Sequence, residues 1–223
     1  MNAIWTMGFV FAALVSSGAA AAESTACVDT AVAAIQKRYE AMTYLRAKFV
    51  QRTRGVAFGG GDPSGASISR GTVQFAKPGK MRWSYEEPEP SLVVSDGKTL
   101  WLYDPANAEV QRMPVSGGIA AGAAVHFLLG EGDVRRDFAI EALACGADRA
   151  TLELVPRVDS SYEKLRVVAD LASGQLRSTT VFDLIGNVSE VSFEEVVEGE
   201  TPGEDAFRFD PPEGVEIIEI DAP

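Results

Sequence analysis

Phe75-Ala-Lys-Pro-Gly-Lys-Met-Arg-Trp-Ser-Tyr85, followed by Val94-Ser-Asp-Gly-Lys-Thr-Leu-Trp-Leu-Tyr-Asp104, decides how this chain folds. In both pieces the apolar and aromatic side chains recur at the strand period of two, and Asp96-Gly97 supplies the chemistry of a tight hairpin turn. Taking Asp96-Gly97 as the two-residue loop sets Val94 opposite Thr99, Val93 opposite Leu100 and Leu92 opposite Trp101. One face then carries Leu92, Val94, Trp101 and Tyr103, and the other carries Val93, Leu100 and Leu102. Both faces are apolar. A sheet with one wet face would not read this way, so both sides are expected to be covered or to handle an apolar ligand. No catalytic residue is read among them, which points to a binding surface.

The same alternation recurs outward from this hairpin, in Leu45/Ala47/Phe49, Val73/Phe75, Met81/Trp83/Tyr85, Leu152/Leu154, Leu165/Val167 and Val191/Phe193. Short strands with turn residues between them, and no long helical crossovers, predict an antiparallel meander. Two helices are expected. Val28, Val32, Ile35, Tyr39 and Met42 are spaced as one stripe of an amphipathic helix, so that helix lies on something apolar. Gly117 to Gly130 is apolar almost all round and bracketed by glycines, which suits a helix plugged into an apolar groove. Gly59-Gly-Gly-Asp-Pro63 reads as a hairpin tip, because the strand, helix and Lys-Ser/Thr end of a phosphate-binding loop are missing.

The first 22 residues read as a cleavable export signal, with an apolar run from Met7 to Val15 and Ala20-Ala-Ala22 before Glu23. That run is too short to span a bilayer. The expectation is a single domain from Glu23 to Pro223, about 200 residues, enough for a proper core. Its net charge of −12 and pI near 4.6 disfavour binding to nucleic acid or anionic headgroups through bulk charge. No heptad or long apolar edge suggests assembly, so a monomer is expected. In an oxidising compartment Cys27 and Cys145 most simply pair, the alternative being two buried free thiols.

Catalytic chemistry finds little support. The single histidine, His126, sits in the apolar glycine-bracketed segment without a nucleophile motif, and His/Cys metal sets lack ligands. Glu86, Glu87 and Glu89 flank Pro88 and Pro90 and are better read as a solvated turn than as a carboxylate pair. Asn187-Val-Ser189 fits the N-glycosylation pattern but is short enough to arise by chance. No enzyme, metal or cofactor is expected.

Gly71-Thr-Val-Gln-Phe-Ala-Lys-Pro-Gly-Lys-Met-Arg-Trp83, Val94-Ser-Asp-Gly-Lys-Thr-Leu-Trp101 with Tyr103, Phe182-Asp183 with Gly186-Asn187, and Phe207-Arg-Phe-Asp-Pro-Pro-Glu-Gly-Val215 together resemble the LolA-type periplasmic lipoprotein carriers. The resemblance implies an α+β fold: a strongly curved antiparallel sheet of about eleven strands forming an unclosed β-barrel, with helices as a lid over an apolar cavity. It implies transport of lipoproteins from the inner to the outer membrane, with the acyl chains in that cavity. The implied partners are acylated lipoproteins, an inner-membrane ABC transporter that releases them and an outer-membrane receptor lipoprotein. The implied lining is Val73, Phe75, Met81, Trp83, Leu92, Val94 and Trp101, with Ile119, Phe127 and Leu128 as the competing lid. Val93, Leu100 and Leu102 remain a credible lining if the face is inverted. Lys77 stands where the family commonly has an arginine that latches the lid; lysine reaches carbonyls but lacks the planar fork, so the latch is weaker or differently regulated. A periplasmic module of the same fold with another lipid or protein ligand is the alternative.

Overall fold

The computed structural model describes residues 17–55, 65–115 and 133–220. The expected helix at Gly117–Gly130, with His126, lies outside them, as does the Gly59–Pro63 tip.

Helix α1 covers Ser17–Ala41. Its stripe of Val32, Ile35 and Tyr39, continued by Met42 just beyond its end, is buried, with Ala31 beside it. Burial of this stripe, more than intrinsic propensity, fixes the helix on the sheet. The helix begins well before Val28, because Ala19 to Ala22 are the strongest helix formers and nothing among them breaks the turn. It thus runs through the expected cleavage point.

Among the described residues twelve strands follow: β1 Tyr44–Arg54, β2 Ser67–Ala76, β3 Lys80–Glu87, β4 Ser91–Asp96, β5 Thr99–Asp104, β6 Glu109–Pro114, β7 Phe138–Cys145, β8 Arg149–Pro156, β9 Tyr162–Asp170, β10 Leu176–Asp183, β11 Val188–Glu198 and β12 Glu216–Glu219. A short helix α2, Val134–Asp137, precedes β7. They form one sheet in the order β12-β6-β5-β4-β3-β2-β1-β11-β10-β9-β8-β7. Two meanders, β1–β6 and β7–β11, are thus zipped together by the antiparallel pairing of β1 with β11. The ends β12 and β7 do not pair, so the curved sheet stays unclosed. The core lies on its inner face. There α1 packs on β7–β9 and shares a hydrophobic cluster with Phe49, Phe75, Leu152, Leu165 and Phe193.

One pairing departs from the expected meander. β12 runs parallel to β6, with Glu216 opposite Glu109 and Ile218 opposite Gln111. The chain reaches that edge after a 3-10 turn at Glu204–Phe207 that packs against β3 and β4, so it arrives in the same direction as β6.

The β4–β5 hairpin keeps its turn but shifts its register. Val94 pairs with Trp101, Leu92 with Tyr103 and Ser95 with Leu100, so Gly97-Lys98, not Asp96-Gly97, form the tip. The carboxylate of Asp96 decides this: its Oδ1 accepts from Lys98 N at 2.7 Å and Thr99 N at 2.8 Å, which holds Asp96 at the entry to the turn. Gly97 then takes the first tip position, where φ is +92°. The displacement preserves parity, so the two face sets of this hairpin are those expected.

Two tethers fix α1. Cys27 is disulfide-bonded to Cys145 at the end of β7, 118 residues away, with a Cα–Cα distance of 6.4 Å. About two turns further along the helix, Gly174 in the β9–β10 turn has φ +68°, and a Cβ there would overlap the Ala34 carbonyl. That turn sits against the helix backbone itself.

Candidate functional site

The pairing of β2 with β3 puts Val73 opposite Trp83 and Phe75 opposite Met81, all on the inner face. They are 0%, 8%, 0% and 1% exposed respectively, so the face is packed rather than open. Phe49 of β1 completes an aromatic cluster, its ring 4.9 Å from Trp83 and 5.1 Å from Tyr85 between centroids. The indole N–H of Trp83 is enclosed and has no acceptor among the described residues.

The next step across the sheet corrects the single-face expectation. β3 pairs with β4 so that Trp83 meets Val93 and Met81 meets Ser95, whereas Arg82 meets Val94 and Ser84 meets Leu92. Val93, Leu100 and Leu102 therefore continue the inner face, and Leu92, Val94 and Trp101 lie on the outer one. Parity within a hairpin is legible from its turn, but parity between β3 and β4 depends on the backbone path through the proline-rich turn between them, at Glu87–Pro90. The outer apolar group is covered by the C-terminal segment. Phe207 is 1% exposed, Val94 is 0% exposed, and the Phe209 ring lies 6.4 Å from Trp101 and 5.6 Å from Tyr103. The Phe-Arg-Phe piece was legible as a motif, but two aromatics in phase were the sign that this segment covers a sheet face.

Polar residues on the inner face form a second, unanticipated feature. Tyr85 Oη donates to Gln51 Oε1 at 2.7 Å, and Gln51 Nε2 donates to Ser189 Oγ at 2.9 Å and to Thr53 Oγ1 at 3.3 Å. Burial pushes the Tyr85 phenol up to about 12. The signal was the strand period: Gln51 continues Ala47 and Phe49, and Ser189 precedes Val191 and Phe193 in the same phase. Beside it, an open cleft of about 610 Å³ is bordered by Tyr85, Pro88, Val93, Leu102 and Gln111.

Lys77 reaches helix α1. Its ammonium donates to the Tyr39 carbonyl and, at 2.9 Å, to the Glu40 carbonyl, while its own N–H donates to Thr43 O at 3.0 Å. These are carbonyls left over at a helix C-terminus, where positive charge also complements the helix dipole. Tyr39 anchors the same turn: its hydroxyl accepts from Leu176 N, and burial pushes its pKa up to about 12.

Ile119, Phe127 and Leu128 lie outside the described residues. Glu86, Glu87 and Glu89 are exposed, Glu87 paired with Arg70 at 3.1 Å. The Asn187 side chain donates to Asp183 Oδ2 at 2.6 Å in the β10–β11 turn. Among the described residues no group of three or more His, Cys, Asp or Glu is placed to hold a metal, and no helix is long and apolar enough to cross a membrane.

Residues 40–210 match the sequence pattern of the family described as outer membrane lipoprotein carrier protein LolA. An outer-membrane lipoprotein carrier protein of Nitrosomonas europaea is 33% identical over 151 residues, 66% of this chain and 71% of that one. The corresponding protein of Dechloromonas aromatica is 31% identical over 153 residues, 67% and 71% of the two chains. Among solved structures, an uncharacterized conserved protein of Thermus thermophilus has the same fold, with a TM-score of 0.52 at 11% identity, covering 86% of this chain and 99% of that one.

Proposed function

This chain belongs to the outer-membrane lipoprotein carrier family, and from that premise we propose that it binds lipoprotein acyl chains on the inner face of its sheet and ferries them from inner to outer membrane. The observation that carries this reading is the continuous apolar inner face of β1–β5, built from Phe49, Val73, Phe75, Met81, Trp83, Val93, Leu100 and Leu102. Leu92, Val94 and Trp101 instead seat the C-terminal segment.

The physics of the cargo explains the need. Each CH₂ resists water by about 0.8 kcal/mol, so a chain of roughly sixteen carbons is held in a membrane by on the order of 10 kcal/mol. Unassisted crossing of an aqueous periplasm is negligible. In the closed state the face is filled by the protein's own side chains, so an acyl chain must replace them, and the net affinity is the difference between two apolar packings. Such a carrier loads strongly enough to extract cargo and still releases it. Ile119, Phe127 and Leu128 serve as the competing lid in this scheme. Lys77 is the latch, holding the α1 terminus over the apolar end of the sheet. An inner-membrane ABC transporter donates the lipoprotein, an outer-membrane receptor lipoprotein accepts it, and the carrier works as a periplasmic monomer after loss of residues 1–22.

Organic extraction of the protein purified from a periplasm, followed by mass spectrometry, is expected to release acylated peptides. Leu102→Glu, at a half-buried inner-face position, is expected to abolish that co-purification with the fold intact, because a carboxylate there hydrates in the open cleft that Leu102 borders but not against hydrocarbon. Cargo-free protein under all loading conditions, or an unchanged yield from Leu102→Glu, refutes the reading.

A further inference from the structure

The inner face changes character along the strands. At the end nearest Lys77 it carries Leu45, Phe75 and Met81, one beside the other on β1, β2 and β3. Two residues further along β1 and back along β2 come Ala47, Val73 and Trp83, then Phe49 and Tyr85. Beyond these the same face turns polar on three adjacent strands: Gln51 and Thr53 on β1, Ser69 on β2 opposite Gln51, and Ser189 on β11 opposite Thr53. The transition coincides with the chain of hydrogen bonds from Tyr85 through Gln51 to Ser189, and Ser189 Oγ also meets Thr53 Oγ1 at 3.4 Å. The open cleft beside Tyr85 lies at this end, between Pro88, Val93 and Leu102.

We propose that this polar end is a head-group subsite, which binds the ester and amide carbonyls joining acyl chains to their lipoprotein and so fixes the direction in which the amphiphile lies. This rests on the carrier reading and deepens it. An apolar face alone would accept an acyl chain in either direction, whereas a face graded from hydrocarbon to hydroxyl and amide accepts it in one. The donor inventory selects carbonyls as the ligand group. Tyr85 spends its proton on Gln51, and Gln51 spends its amide protons on Ser189 and Thr53. Of the two hydroxyls at 3.4 Å only one donates to the other, which leaves one hydroxyl proton unspent. Trp83, stacked at 6.4 Å from Tyr85, contributes an enclosed indole N–H with no acceptor among the described residues. These spare donors, together with the Ser69 hydroxyl opposite Gln51, match acceptors that have no protons of their own, as acyl carbonyls have. The partly buried Tyr85 phenol stays neutral across the physiological range, so the hydrogen-bonded network itself adds no charge; the carboxylates of Glu89, Asp104 and Glu109 line the outer part of the cleft.

The test compares two probes: a dipalmitoylglyceryl-cysteine peptide, and a hexadecyl hydrocarbon fluorophore without carbonyls. Ser189→Ala and Thr53→Val are measured singly and together, each first shown to unfold cooperatively. Loss of one or two hydrogen bonds is expected to weaken the lipopeptide about 3- to 10-fold while the hydrocarbon probe changes by less than about 2-fold. Equal weakening of both probes, or of neither, overturns the subsite while leaving the carrier reading standing. Failure of the unaltered protein to bind either probe refutes the carrier reading itself.

Discussion

At the residue scale, the contacts of Lys77 are specific. A single ammonium supplies donors to two carbonyls at the end of α1, a job that needs reach and charge but no planar fork. Lys77→Leu is expected to lower unfolding free energy by about 1–3 kcal/mol in urea titration, because two partly buried carbonyls lose their donor. Lys77→Arg is expected to retain most of that. The buried tyrosines make a second prediction. Tyr39 and Tyr85 have folded pKa values near 12 against about 10 in the unfolded chain, so the folded state holds protons that the unfolded state releases. Their contribution is fully present below pH 10 and is lost as pH rises from 10 towards 12. Urea midpoints are expected to fall steeply in that window, and Tyr39→Phe together with Tyr85→Phe is expected to flatten the slope. Lys77 was legible as a family position, but its partners were not, since nothing in a sequence says which carbonyls a helix terminus presents to a strand turn.

At the scale of elements, the hairpin and the helix tether respond to local rules. Gly97 at φ +92° has the Pro78 carbonyl oxygen 2.9 Å from where a Cβ would stand. Gly97→Ala is expected to cost about 1–2 kcal/mol, measured by thermal unfolding, from the left-handed backbone and this clash together. The turn was readable as a turn, yet its register was not. Asp96 suits both the first tip position and the position before it, and its hydrogen bonds to Lys98 and Thr99 choose the latter. The Cys27–Cys145 bond closes about half of the chain into one loop, so its reduction is expected to destabilise by up to about 5 kcal/mol in the chain-entropy account. Thiol titration of the denatured, unreduced protein is expected to find no free thiol. Two free thiols would remove the tether from α1 to β7.

At the scale of the whole molecule, the sheet is apolar on both sides and covers them differently. The inner face is closed by α1 and by its own side chains, and the outer face over β3–β5 is closed by the C-terminal segment. Phe207 is the fully buried residue of that cover. Phe207→Ala is expected to cost about 3–5 kcal/mol and to raise dye binding to exposed apolar surface, since it opens a cavity and bares Val94. Dye binding equal to that of the unaltered protein would mean that the outer patch is covered by something else.

Sequence alone determined that strands alternate, where they turn, that one amphipathic helix lies on them, and that both sides of the β4–β5 hairpin need cover. These are local consequences of side-chain period and turn chemistry, read within a dozen residues. Tertiary structure alone decided which of the two apolar sets faces inward, because the parity of β4 relative to β3 is carried through a proline-rich turn whose path no periodicity announces. It also decided that β12 runs parallel to β6, that Phe209 covers Trp101 and Tyr103, and that Gln51, Tyr85 and Ser189 meet. Such meetings join residues up to 138 positions apart. They follow from the pairing of whole strands, which no single stretch of the chain encodes.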